Sequence, residues 1–117
     1  MAVLGLDIGT GGSRAVLVGD DGRLLASATA AHDPFASPET GWAEQHPADW
    51  WRAAQQAIQE LLSAAPVAPS TVQAVGLSGQ MHGAVLLDEA GEVVRPAIIW
   101  CDQRSDAECR ALTARIG

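Results

Sequence analysis

Apolar residues run almost unbroken from Ala2 to Ile8 and stop at Gly9, the pattern of a buried strand. Gly9-Thr10-Gly11-Gly12-Ser13 reads as a loop, and a second apolar run covers Arg14 to Val18. Gly19-Asp20-Asp21-Gly22 is a turn sequence and Arg23 to Ala30 reads as a third strand, so the chain opens as two consecutive hairpins. Residues 31–46 are polar and hold Pro34 and Pro38, which predicts an irregular connection. Pro47 suits the first position of a helix, and Asp49 favours the dipole of its first turn. Trp50, Trp51, Ala54, Ala57, Ile58, Leu61 and Leu62 recur at helical spacing and predict one buried face, with Pro66 and Pro69 ending the helix. Val72 to Ser78 is a fourth strand, interrupted by Gly79-Gln80-Met81-His82-Gly83. Ala84 to Leu87 reads as a fifth strand, Asp88 to Gly91 as a turn, Val93-Val94 as a return strand and Ala97 to Trp100 as another short strand. Ser105 and Glu108 have capping-box spacing, so a last helix is predicted from there to about Ile116, with Gly117 just past its end.

Composition narrows the class. The chain has 117 residues, 48% apolar and 18% charged, which suits one small globular domain or part of a larger one. Its apolar runs fall short of the ~20 residues of a membrane span. No basic segment precedes an apolar stretch at the start, so the expectation is no signal peptide, no membrane and a cytoplasmic location. The net charge is −7 and all seven basic residues are arginine, with no basic stripe, which argues against nucleic acid. An acidic chain that handles phosphates must do so locally, through backbone N–H groups, a metal ion or a placed arginine. Cys101 and Cys109 lack the spacing and extra ligands of a zinc site and are expected to be reduced and structural.

Four segments carry candidate chemistry. In Asp7-Ile8-Gly9-Thr10-Gly11-Gly12-Ser13-Arg14 the glycines permit positive φ and close approach of backbone to a ligand, and successive N–H groups can form an anion nest. Thr10 and Ser13 add hydroxyls and Arg14 a cation, while Asp7, at the end of a buried strand, suits a hydrated Mg²⁺ beside phosphates. It is neither a P-loop nor a dinucleotide fingerprint, because a strand rather than a helix follows; a plain Gly-rich hairpin is the competing reading. Gln80, Met81 and His82 suit a small polyol pocket, against a simple connecting loop. Trp100 can wall a sugar site, whereas Asp102 and Arg104 read first as a helix cap plus a structural ion pair. Gly41-Trp42-Ala43-Glu44-Gln45, running to Trp50-Trp51, is a packing feature without the basic partners of a stacking platform.

Taken in order, Gly5–Thr10, Gly41–Gln45 with Trp50-Trp51, Gly79–Gly83, and Arg95–Trp100 with Asp102 and Arg104 resemble the N-terminal segment of the FGGY carbohydrate kinases, and Gln80-Met81-His82-Gly83 is most similar to the branch that phosphorylates xylulose. The resemblance implies ATP-dependent phosphorylation of D-xylulose by a longer protein, with another polyol or ketose, or a non-catalytic actin-like nucleotide-binding module, as alternatives. It implies that Gln80, Met81, His82, Trp100 and Asp102 serve the sugar, that Asp7, Thr10, Gly11, Gly12, Ser13 and Arg14 serve ATP, and that Asp7 serves Mg²⁺. Many relatives carry Ser or Thr where this chain has Gly11 or Gly12. The catalytic Asp of the family comes well downstream of this region, so these residues alone are expected to lack kinase activity. The implied fold is α/β, a mixed sheet forming the first part of an actin-like, ribonuclease-H-like domain over 1–117, without the second domain. Exposed apolar sheet surface is expected, covered by the remainder of the chain or by an assembly such as a homodimer.

Overall fold

The structure is a computed structural model that describes all 117 residues. In chain order its elements are β1 (Ala2–Ile8), β2 (Gly12–Gly19), β3 (Leu24–Ala31), β4 (Glu44–Gln45), α1 (Pro47–Ala64), a 3-10 turn at Pro69–Thr71, β5 (Val72–Gly79), β6 (Ala97–Ile98) and α2 (Asp106–Ile116). They divide into two compact units, residues 1–33 with 48–80, and residues 34–47 with 81–117. No helix is long and apolar enough to cross a membrane.

The first unit is a four-stranded mixed sheet in the order β3-β2-β1-β5, so the expected α/β class with a mixed sheet is present. Strands β1, β2 and β3 are antiparallel neighbours, and β5 joins β1 in parallel. Alternation along each strand sends Ala2, Leu4 and Leu6 of β1 and Ser13, Ala15 and Leu17 of β2 to one buried face. On that face α1 supplies Ala53, Ala54, Ala57 and Leu61 to the same core. Small alanines let the helix approach the sheet, while Leu61 and Leu17 fill the volume. The helix buries the predicted face and departs from it only at the edge: Ala53 is fully buried as well, whereas Trp51 is 65% exposed. Strand β2 begins two residues earlier than the apolar run suggests, because Gly12 and Ser13 pair with Ala31 and Ala30. Val75 and Leu77 pair with Leu4 and Leu6, yet both are exposed, Leu77 by 75%. The expected uncovered apolar sheet surface therefore lies along β5.

The second unit is sparse in regular structure. Its paired strands are β4 and β6, two residues each. The predicted strand at Ala84–Leu87 is absent as a strand. Isolated bridges Ala84↔Ile98 and Leu87↔Val93 form a loose hairpin instead, with every side chain from Met81 to Glu92 exposed. Four apolar residues without a face to bury against cannot hold a ladder. Helix α2 has Ser105 at its N-cap, but no side-chain cap bond forms, so the capping box is not realised. Gly117, at φ +90°, closes the other end with its N–H on the Thr113 carbonyl. Both cysteines are free thiols, and Cys109, expected to be structural, is exposed on α2.

Candidate functional site

In the first unit the candidate chemistry gathers at the ends of β1 and β5. The Gly9 N–H donates to the Gly12 carbonyl at 3.0 Å, closing a tight turn with Thr10 and Gly11 at its tip. None of Gly9, Gly11 and Gly12 has positive φ, so the loop uses its glycines for close approach instead. A Cβ at Gly12 would meet the Ala30 carbonyl oxygen at 2.7 Å, whereas one at Gly11 would meet nothing within 4 Å.

The open face of the sheet carries Asp7 and Arg14, which are paired in register across β1 and β2. They line an open cavity of about 310 Å³ together with Gly5, Val16, Gly76 and Ser78. Ser78 Oγ donates to Asp7 Oδ1 at 2.6 Å, fixing the carboxylate at the strand end. Ser13 points the other way. Alternation along β2 turns its hydroxyl into the core, fully buried, where it meets His32 Nε2 at 2.9 Å. The sequence reading aimed this hydroxyl at phosphates, and strand alternation reverses that direction. Gln80 belongs to this unit too: its N–H donates to the Ile8 carbonyl at 2.8 Å, and its Oε1 accepts from Thr10 Oγ1 at 3.3 Å. The loop tip is thereby tied to the residue that precedes Met81.

The chain contains no group of three or more His, Cys, Asp or Glu side chains able to hold a metal ion. A single carboxylate does suit Mg²⁺ when phosphates and water complete the octahedron, so Asp7 beside the turn fits that ion.

In the second unit the Ala84↔Ile98 bridge sets the segments carrying His82 and Trp100 side by side. Met81 is 69% exposed and Trp100 57%, and His82 is exposed with φ +63°. A non-glycine residue held in the left-handed region carries backbone strain of ~1 kcal/mol or more and is typical of ligand-contacting positions. Asp102 is different. Its side chain is 3% exposed and its oxygens accept from the Ala43 N–H (2.7 Å), the Arg104 N–H (2.9 Å), and Arg104 Nε and Nη2 (2.8 and 2.7 Å). The hydrogen bonds from Arg104, reinforced by the Ala43 amide against the opposing effect of burial, hold the Asp102 carboxyl well below the usual carboxylate range. Arg104 also reaches Glu44 at 2.8 Å and stacks 3.8 Å over Trp42, while Arg95 pairs with the same Glu44 carboxylate. This geometry supports the structural ion pair read for Asp102 and Arg104.

Sequence reasoning missed Ser78, His32 and Glu44. Ser78 is legible only once β5 is paired in parallel with β1, which puts it opposite Asp7. His32 is a lone histidine in a polar connection, without a periodic signal.

Residues 2–117 match the N-terminal domain of the FGGY family of carbohydrate kinases. Over 113 residues the chain is 39% identical to the xylulose kinase of Escherichia coli (strain K12), covering 97% of this chain and 23% of that protein. Over 115 residues it is 36% identical to the xylulose kinase of Bacillus subtilis (strain 168), covering 98% and 23%. It superposes on the crystal structure of a "xyloylose kinase" from Brucella ovis with a TM-score of 0.92 and 43% identity, over 98% of this chain and 24% of that one. The chain thus spans about a quarter of the length of the relatives it matches. With a match that runs from residue 2 to residue 117, the chain belongs to the FGGY family of carbohydrate kinases.

Proposed function

We propose that this chain is the N-terminal part of an ATP-dependent kinase that transfers the γ-phosphoryl group to a hydroxyl of D-xylulose. The observation that carries the reading is the Asp7 carboxylate, fixed by Ser78 beside a glycine turn whose tip is tied to Gln80. The xylulose kinases among its relatives support that sugar. Phosphoryl transfer depends on positioning and charge stabilisation more than on covalent help. Backbone N–H groups of Thr10 to Gly12 would take the phosphates, Arg14 would add positive charge, and Asp7 would hold Mg²⁺. That ion, when bound, neutralises charge on the phosphate oxygens. Met81, His82 and Trp100 would contact the sugar, and Gln80 would couple the sugar segment to the turn. In this reading the proton acceptor and most of the adenosine site belong to a second domain outside these residues.

The test is a coupled assay of the full-length protein with ATP and xylulose. Asp7→Asn is expected to lower kcat by ~100-fold or more. His82→Ala is expected to raise KM for xylulose without raising KM for ATP. No ATP-dependent phosphorylation of xylulose, or an Asp7→Asn protein as active as the wild type, would overturn the reading.

A further inference from the structure

We infer that His32 is a positioning residue for the glycine turn, and that ATP affinity depends on the link from helix α1 through His32 to that turn. The inference rests on the phosphate-binding reading given above.

His32 is buried in the first unit, 7% exposed, immediately after β3. Three contacts join it to the turn. Its N–H donates to the Gly11 carbonyl at 3.0 Å, its Nδ1 lies 3.4 Å from the Thr10 carbonyl, and its Nε2 lies 2.9 Å from Ser13 Oγ. A carbonyl only accepts, so Nδ1 donates to the Thr10 carbonyl, while Nε2 and the Ser13 hydroxyl share the second bond. The turn is also held by the Gly9 N–H on the Gly12 carbonyl and by Thr10 Oγ1 on Gln80. Its three glycines, Gly9, Gly11 and Gly12, offer no side chains to lock it, and Gly11 is open on the side where a Cβ would sit.

The residues on either side of His32 are held by α1. Asp49 Oδ2 accepts the Asp33 N–H at 2.7 Å, and Arg52 Nη2 donates to the Ala31 carbonyl at 3.0 Å. Arg52 Nε also donates to Asp49 Oδ1 at 2.9 Å, tying the two anchors together. The helix therefore fixes the backbone of His32, and the ring passes that constraint to Thr10, Gly11 and Ser13. Carbonyls pinned from behind leave the N–H groups of the turn pre-set for an anion in front, which removes an ordering cost from binding. None of these contacts includes Gln80, which reaches the turn through the Thr10 hydroxyl instead, so KM for xylulose is expected to change little.

The experiment is steady-state kinetics of the full-length protein, with ATP and xylulose varied separately and melting temperature recorded alongside. His32→Ala is expected to raise KM for ATP about tenfold, with KM for xylulose within about twofold of wild type. His32→Gln, whose amide reaches the Ser13 hydroxyl, is expected to recover most of the loss. Ser13→Ala is expected to raise KM for ATP in the same direction, and the double variant to be no worse than the worse single one. A purely structural role would lower the active fraction, and so kcat, with KM for ATP unchanged. That result, or an unchanged KM for ATP in folded His32→Ala, overturns the inference while leaving the kinase reading intact. Should His32→Ala fail to fold, Ser13→Ala decides: an unchanged KM for ATP overturns the inference. A wild type without ATP-dependent turnover overturns the kinase reading and this inference together.

Discussion

A methyl group at position 12 would press on the Ala30 carbonyl from 2.7 Å, while the same group at position 11 meets open space. Gly12→Ala is accordingly expected to destabilise the protein by about 2 kcal/mol through forced separation of β2 from β3. Gly11→Ala is expected to stay within about 0.5 kcal/mol of wild type. Urea denaturation of both variants checks the contrast. Position 11 has room for a side chain and position 12 does not. The glycine pattern marked the loop in the sequence, but not which glycine is obligatory. Close approach depends on the neighbouring strand, and only a three-dimensional register specifies that. Ser13 was misdirected for a related reason, since treating 9–13 as loop discards the alternation that already holds at its end.

Helix α1 shows what periodicity reads well and where it stops. Spacing identified a buried stripe and included Ala54, Ala57 and Leu61, all of which are fully buried. It also assigned Trp51 to the core by hydrophobicity, although Trp51 sits at the edge of the stripe and faces out. Ala53 went unnoticed because a small side chain contributes little to any hydrophobic pattern. The energetic consequence is testable by thermal melting. Leu61→Ala is expected to cost about 3 kcal/mol through the lost burial and the cavity left behind. Trp51→Ala is expected to cost less than about 0.5 kcal/mol. The loose hairpin at 84–94 is the opposite case. Its apolar content suggested strands, but nothing in the second unit covers it, and pairing stops at single bridges.

At the scale of the whole molecule, the order of strands was legible only as far as hairpins go. The meander follows from turn sequences, whereas the parallel seat of β5 beside β1 depends on helix packing that no local signal encodes. Charge organisation was likewise half visible. An acidic chain with seven arginines and no lysine concentrates two of those arginines on Glu44 and Asp102. Asp102 gives this network a pH dependence. In the unfolded chain its carboxyl takes up a proton near pH 4, and in the folded protein only at lower pH. Between those points the unfolded state binds more protons, so stability rises with pH there. The stabilising contribution is complete above about pH 4 and fades as pH falls toward the folded value. The advantage of wild type over Asp102→Asn in urea melts is therefore expected to shrink as pH is lowered from about 6 to about 3. A gap that does not change with pH would contradict the assignment.

The parallel pairing of β1 with β5 joins Asp7 to Ser78 across 71 residues of chain. During synthesis the β1–β2–β3 meander can close as soon as it leaves the ribosome, because its contacts are local. Asp7 must then wait for β5, a delay of a few seconds at ~5–20 residues per second. Throughout that interval the nascent sheet presents the free edge of β1, which is open to mispairing until Val72–Gly79 arrives. A codon-slowed stretch upstream of β5 would lengthen that exposure, so the same strand that finishes the candidate site also protects the newborn chain from aggregation.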